Sequence, residues 1–126
     1  MEFMSWILVA AGGALGSVLR FALTPLCLAV SQRSGFPIGT LAANVIGCFL
    51  IGFFASQIQK NPQFPEQVRL LLIPGILGGF TTYSAFAWES WSLAASGPGL
   101  PAAAIYFALT SVLAFTALLA GVVISR

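Results

Sequence analysis

Four long apolar runs, parted by three short polar breaks, decide what this chain can fold into. The runs cover roughly residues 3–30, 38–58, 68–95 and 100–124. The breaks are residues 31–37 and 59–67, both polar and holding Pro, and the turn Ser96-Gly97-Pro98-Gly99. Crossing the hydrocarbon core of a bilayer takes about 20 apolar residues in helical form. Each run meets that length. The reading is an all-α integral membrane protein, one domain of four transmembrane helices. Composition excludes the other classes. Only 6% of the residues are charged and 59% are hydrophobic, whereas a soluble domain carries about 25% charged residues. A water-soluble enzyme, a disordered chain and a nucleic-acid binder with a basic face are all ruled out. The expected surroundings are a lipid bilayer, with no nucleic-acid partner and no enzymatic domain. No basic stretch precedes the first run, so a cleaved leader is not expected. His is absent, which removes the usual proton shuttle. Cys27 and Cys48 lie within apolar runs and read as small buried hydrophobes.

Charge placement bears on orientation. Four spans put both termini on one side of the membrane. Lys60, Arg69 and Arg126 then face that side, and Arg33, with Arg20 if it flanks, faces the other: three against two. The positive-inside rule needs an excess on one side to set topology. A chain so balanced can insert both ways, and two opposite copies can pair as a dual-topology antiparallel homodimer. Four helices enclose little space by themselves, so a polar pathway is easier to build between subunits. An inverted pair also supplies the symmetry that many transporters obtain from inverted repeats.

Polar residues inside spans point to function. In the first span Gly12, Gly16 and Arg20 stand at four-residue spacing, a stripe for close helix approach ending in a guanidinium. Arg20 either snorkels to the interface or lines an aqueous vestibule that concentrates anions. In the second span Thr40 and Asn44 share one helix face, with Gly47 one turn on. Asn44 either bonds another helix or turns amide donors into a pathway. The third span reads Pro74-Gly75-Ile76-Leu77-Gly78-Gly79-Phe80-Thr81-Thr82-Tyr83-Ser84-Ala85-Phe86. Pro and Gly are the poorest helix formers. Their concentration predicts a helix broken near the midplane, which is tolerated only where the backbone is buried or lines a cavity. Tyr83 and Phe86 share a face of any resumed helix, with Ser84 beside them, and ring edges are electropositive. Glu89 is the one acid well inside a span, flanked by Trp88 and Trp91. It reads as a helix-bridging residue at the boundary in preference to a proton carrier. The fourth span carries Tyr106, Thr110, Ser111 and Thr116, a partial hydroxyl stripe.

Taken together these residues resemble the Fluc (CrcB) family of fluoride channels along essentially the whole chain. The resemblance rests on Gly12-x3-Gly16-x3-Arg20, on Gly39-Thr40-Leu41-x2-Asn44-x2-Gly47, and on Gly78-Gly79-Phe80-Thr81-Thr82-Tyr83-Ser84-x-Phe86. It implies a passive, fluoride-selective channel of a bacterial cytoplasmic membrane. The family's subunits have four helices and form antiparallel dimers with two pores. The resemblance further implies that Asn44 is a pore-lining amide and that Phe86 and Tyr83 supply ring edges to fluoride. Backbone carbonyls of Gly78 and Thr81 would hold a structural Na⁺ at the dimer centre. Arg20 and Glu89 would be vestibule or helix-positioning residues. Hydroxyls of Thr40, Thr82, Ser84, Tyr106, Ser111 and Thr116 would be candidates for a polar track. The chain departs from the family in having Tyr83 where Phe is usual and Ala85 where Thr is frequent. The alternative is a small proton-coupled multidrug exporter of dual topology, for which Glu89 would have to serve as the carrier. A membrane subunit without transport is a third reading.

Overall fold

A computed structural model describes residues 2–126, all helix and connecting turns, with no strand among the described residues. The elements are α1 (Glu2–Leu26), α2 (Leu28–Ser34), α3 (Ile38–Lys60), α4 (Glu66–Leu70), a π-helical stretch (Leu71–Leu77), α5 (Gly78–Phe80), α6 (Ser84–Ala95) and α7 (Leu100–Ile124). α1, α3, α7 and the series from Glu66 to Ala95 are long and apolar enough to cross a membrane. A 25-residue helix such as α7 is about 37 Å long, against a hydrocarbon core of about 30 Å.

The first apolar run is not one helix. Pro25 lacks the N–H that would bond one turn back, and Cys27 N–H is shared between the carbonyls of Leu23 and Thr24 at 3.1 and 3.2 Å. The chain turns there and α2 begins. α2 ends at Gly35, whose φ of 74° suits a residue without Cβ.

The third span differs from the expectation in where it gives way. Pro74 and Gly75 do not unwind the backbone. They sit in the π-helical stretch, whose wider winding takes up the missing proline donor. Gly78–Phe80 returns to α geometry. The departure comes at Thr81, which is extended at φ −77°, ψ 157°, and helix resumes at Ser84.

The two halves of this span pack on different partners. The first half lies along α1 and the second along α7, while α3 and α7 pack along one another. Small residues set these approaches. A Cβ on Gly16 would lie 2.0 Å from the Ile76 carbonyl oxygen, and one on Gly12 2.5 Å from that of Leu71. A Cβ on Gly52 would lie 2.1 Å from the Leu118 carbonyl oxygen, so α3 and α7 meet backbone to backbone there. Little is buried inside this single chain. The buried hydrophobics among the described residues are Ala43, Leu77, Phe86, Leu93, Ala103 and Tyr106, whereas large side chains such as Phe3, Trp6, Phe21 and Phe115 stand exposed. Such an apolar exterior suits hydrocarbon or another apolar protein face, not water.

Candidate functional site

The break in the third span is held from α3. Asn44 is 8% exposed. Its Oδ1 accepts the Thr82 backbone N–H at 2.8 Å, and its Nδ2 donates to the Thr82 carbonyl at 2.9 Å. The carboxamide thus stands in for a missing turn of helix, serving both polar groups of one backbone unit. One Nδ2 hydrogen is left over. The Thr82 hydroxyl oxygen accepts the Ala85 N–H at 3.3 Å and starts α6 as a side-chain cap does.

These two substitutions release specific carbonyls. In an unbroken helix the Thr82 N–H would bond to the Gly78 carbonyl and the Ala85 N–H to that of Thr81. Both donors are turned to side chains instead. The freed oxygens are hard donors of the kind that suits a small cation. The next carbonyl, Gly79, faces α1. Arg20 Nε donates to it at 3.4 Å and Ser17 Oγ at 3.5 Å. The guanidinium therefore sits at the carbonyl end of the first half-span, where the helix dipole favours a cation. Gly47 sits against the same break, because a Cβ there would be 2.3 Å from Thr81 Cγ2. The Thr81 hydroxyl donates back to the Leu77 carbonyl at 3.0 Å.

Beside the break lies a groove of about 390 Å³ lined by Asn44, Cys48, Gly78, Thr81, Thr82, Tyr83, Phe86, Thr110, Ser111 and Ala114. The lining carries amide, hydroxyl, thiol and ring-edge groups and no formal charge. Phe86 is 4% exposed and Tyr83 74%. Their rings meet edge to face at 5.9 Å between centroids. Thr110 is 2% exposed, and its hydroxyl oxygen is closed off from the surface. The Tyr106 phenol lies near it, one turn back on α7.

The sequence-derived candidates thus divide into two groups. Asn44, Thr81, Thr82, Tyr83, Phe86 and Ser111 share the groove. Thr40, Glu89 and Tyr106 form a separate knot: Thr40 Oγ1 donates to Glu89 Oε1 at 2.7 Å and the Tyr106 hydroxyl to Oε2 at 2.8 Å. One carboxylate thereby ties α3, α6 and α7. Phe86 joins the two groups, its ring centroid 5.6 Å from that of Tyr106. Ser84 is exposed and lies 3.5 Å from the Thr82 hydroxyl oxygen, while Thr116 is exposed and outside the groove lining. Trp88 and Trp91 face outward, as boundary residues do. Thr110, Cys48 and Ser17 enter the site from outside the main candidates. Four-residue spacing from Tyr106 and Asn44 was the signal for Thr110 and Cys48, and three-residue spacing from Arg20 the signal for Ser17.

Known proteins place this arrangement. Residues 7–122 match the family model described as CrcB-like protein, Camphor Resistance (CrcB). The chain is 48% identical to a fluoride-specific ion channel FluC of Rhizobium johnstonii over 95% of its own length and 94% of that protein. It is 46% identical to that of Rhizobium etli over the same shares. With that of Aquifex aeolicus it shares 45% identity over 73% of each chain. These relatives are ion channels and not enzymes, and none of these names favours the proton-coupled exporter. Four apolar membrane-length helices, a match along nearly the whole chain and the family's channels together make this a multi-pass membrane protein of the CrcB-like family.

Proposed function

We propose that this chain is a passive fluoride-selective channel, exporting fluoride across the bacterial cytoplasmic membrane as a dual-topology antiparallel homodimer with two pores. The observation that carries the reading is the charge-free groove at the break, in a chain whose relatives are named for fluoride.

Fluoride is the smallest and most strongly hydrated halide, so a pore must replace its water with compact donors. The free Nδ2 hydrogen of Asn44 and the edges of Phe86 and Tyr83 are such donors. Ser111 adds a further hydroxyl. None is a cation, which would hold fluoride too tightly to let it leave. Arg20 sits behind the groove on the Gly79 carbonyl, where it raises anion concentration without blocking passage. Glu89 has a hydroxyl on each carboxylate oxygen, which supports a bridging role and flow without proton coupling. HF enters cells and dissociates at neutral pH, so a passive exit lowers the internal load.

The break near the bilayer midplane also fits a structural Na⁺. One chain offers the released carbonyls of Gly78 and Thr81, and a copy related by a twofold axis would bring the same pair. Bound there, the ion would supply positive charge that holds the two broken spans together. The small number of flanking basic residues and the apolar exterior support the antiparallel pair.

Reconstitution into liposomes loaded with fluoride tests the reading. Fast electrogenic fluoride efflux that rejects chloride is expected, and Phe86→Ile should slow it by removing a ring edge. Tyr83 is exposed, and Tyr83→Phe should leave the rate unchanged or raise it. Transport of an organic cation driven by a pH gradient, or no flux at all, would overturn the proposal.

A further inference from the structure

We propose that Phe36, in the turn between α2 and α3, is a positioning residue for the fluoride path, acting through Tyr106 on the Phe86 ring; this rests on the channel reading above. Four rings form a series. Phe36 stacks on Tyr106 at 6.1 Å between centroids, with the planes 11° apart. Tyr106 meets Phe86 at 5.6 Å, and Phe86 meets Tyr83 at 5.9 Å. The last two rings line the groove. α3 begins and α6 ends at one end of the four spans, so the series leads from that end to the break.

The backbone that carries Phe36 is fixed locally. Pro37, at φ −74° and ψ 78°, is the centre of an inverse γ-turn in which the Ile38 N–H donates to the Phe36 carbonyl at 2.9 Å. The same N–H is shared with Ser31 Oγ at 3.1 Å, and the Phe36 N–H donates to Ser34 Oγ at 3.2 Å. The half-buried ring is thereby aimed at Tyr106, which is fully buried and whose hydroxyl is tied to Glu89. That tie leaves one freedom. The phenol oxygen lies on the axis about which the ring turns, so a bond to it does not fix χ2, a broad torsion for Tyr. A flat stack against Phe36 does fix it. Phe86 leans on Tyr106 at a tilt of 54°, so the setting of Tyr106 decides which way the Phe86 edge faces in the groove. Phe107 also stacks on Phe86 but stands 48% exposed, and the inward support is Tyr106.

Fluoride efflux from liposomes holding Phe36→Leu, alone and combined with Phe86→Ile, tests the proposal. The geometric part of an aromatic pair corresponds to roughly three- to tenfold in rate, and Phe36→Leu should slow efflux by that factor. Phe36→Tyr keeps the ring and should stay within about twofold of the parent. On the Phe86→Ile background, Phe36→Leu should add less than about twofold, because the ring it positions is gone. A residue that only stabilised the fold would slow both backgrounds alike and lower both melting temperatures. Parental flux from Phe36→Leu, a Phe36→Tyr channel as slow as Phe36→Leu, or a slowing that multiplies in full on Phe86→Ile would overturn the assignment. If Phe36→Leu does not assemble, Phe36→Met fills the volume with a flexible chain and carries the same expectations. Absence of fluoride efflux from the parent chain would sink the channel reading instead.

Discussion

Asn44 commits both ends of its carboxamide to Thr82, and that one side chain carries the local logic of the site. It repairs the helix break while keeping one N–H for the groove. Replacing Asn44 by Ala leaves the Thr82 N–H and carbonyl without partners. Two interhelical bonds of this kind together stabilise by about 1–2 kcal/mol in a membrane. Asn44→Ala is expected to lower the melting temperature of the detergent-solubilised protein and to cut fluoride flux by more than tenfold, the effect of about 1.4 kcal/mol or more on a barrier. An unchanged melting temperature together with full flux would remove Asn44 from both roles. Spacing showed that Thr40 and Asn44 share a face. It could not show that their partners differ, Glu89 for one and the Thr82 backbone for the other. Partners are set by how α6 and α7 rotate against α3, which no single segment encodes.

At the scale of elements, the third span is the piece that composition described least well. Its Pro and Gly residues mark irregular backbone, but the irregularity takes two forms. Pro74 and Gly75 lie in π winding, and the extended residue is Thr81. The reason is packing: Gly12 and Gly16 let α1 lie against the wound stretch and support it. Gly16→Ala puts a Cβ 2.0 Å from the Ile76 oxygen, and such overpacking costs about 1–3 kcal/mol. It also draws Arg20 away from Gly79. Gly13→Ala is the matched control, since nothing lies within 4 Å of its added Cβ. Thermal unfolding of the two variants should separate them, the first destabilised and the second close to the parent. Equal stability would show that the stripe does not set the approach of α1.

At the scale of the whole molecule, the apolar exterior and the scarcity of charge belong together. A single chain buries few large side chains and leaves rings such as Trp6 and Phe21 outside. With Arg20 held inside the span on the Gly79 carbonyl, Lys60, Arg69 and Arg126 stand at one end of the helices and Arg33 at the other, and so few flanking charges bias orientation only weakly. Ser34→Cys in a chain carrying Cys27→Ser and Cys48→Ser places one thiol at the exposed end of α2. An impermeant maleimide should label part of the population from outside intact cells and the remainder only after lysis. Labelling wholly from one side would rule out dual insertion.

Hydropathy by itself determined the class of this protein, four membrane helices in their order, and the turn at Ser96-Gly97-Pro98-Gly99; the break expected over residues 31–37 is shorter, since residues 31–34 belong to α2. Those are local properties, because solvation of a run in hydrocarbon depends only on the run. The motifs of spans one to three pointed to the family, and the match over residues 7–122 bears that out. Tertiary structure alone decided that Thr40 and Tyr106 close on Glu89, that Thr110 and Cys48 line the groove, and that the Gly78 and Thr81 carbonyls lose their helical donors. Each of these depends on one helix reaching the backbone or side chain of another. Residues far apart in sequence acquire such partners only when the helices are packed and their rotations set.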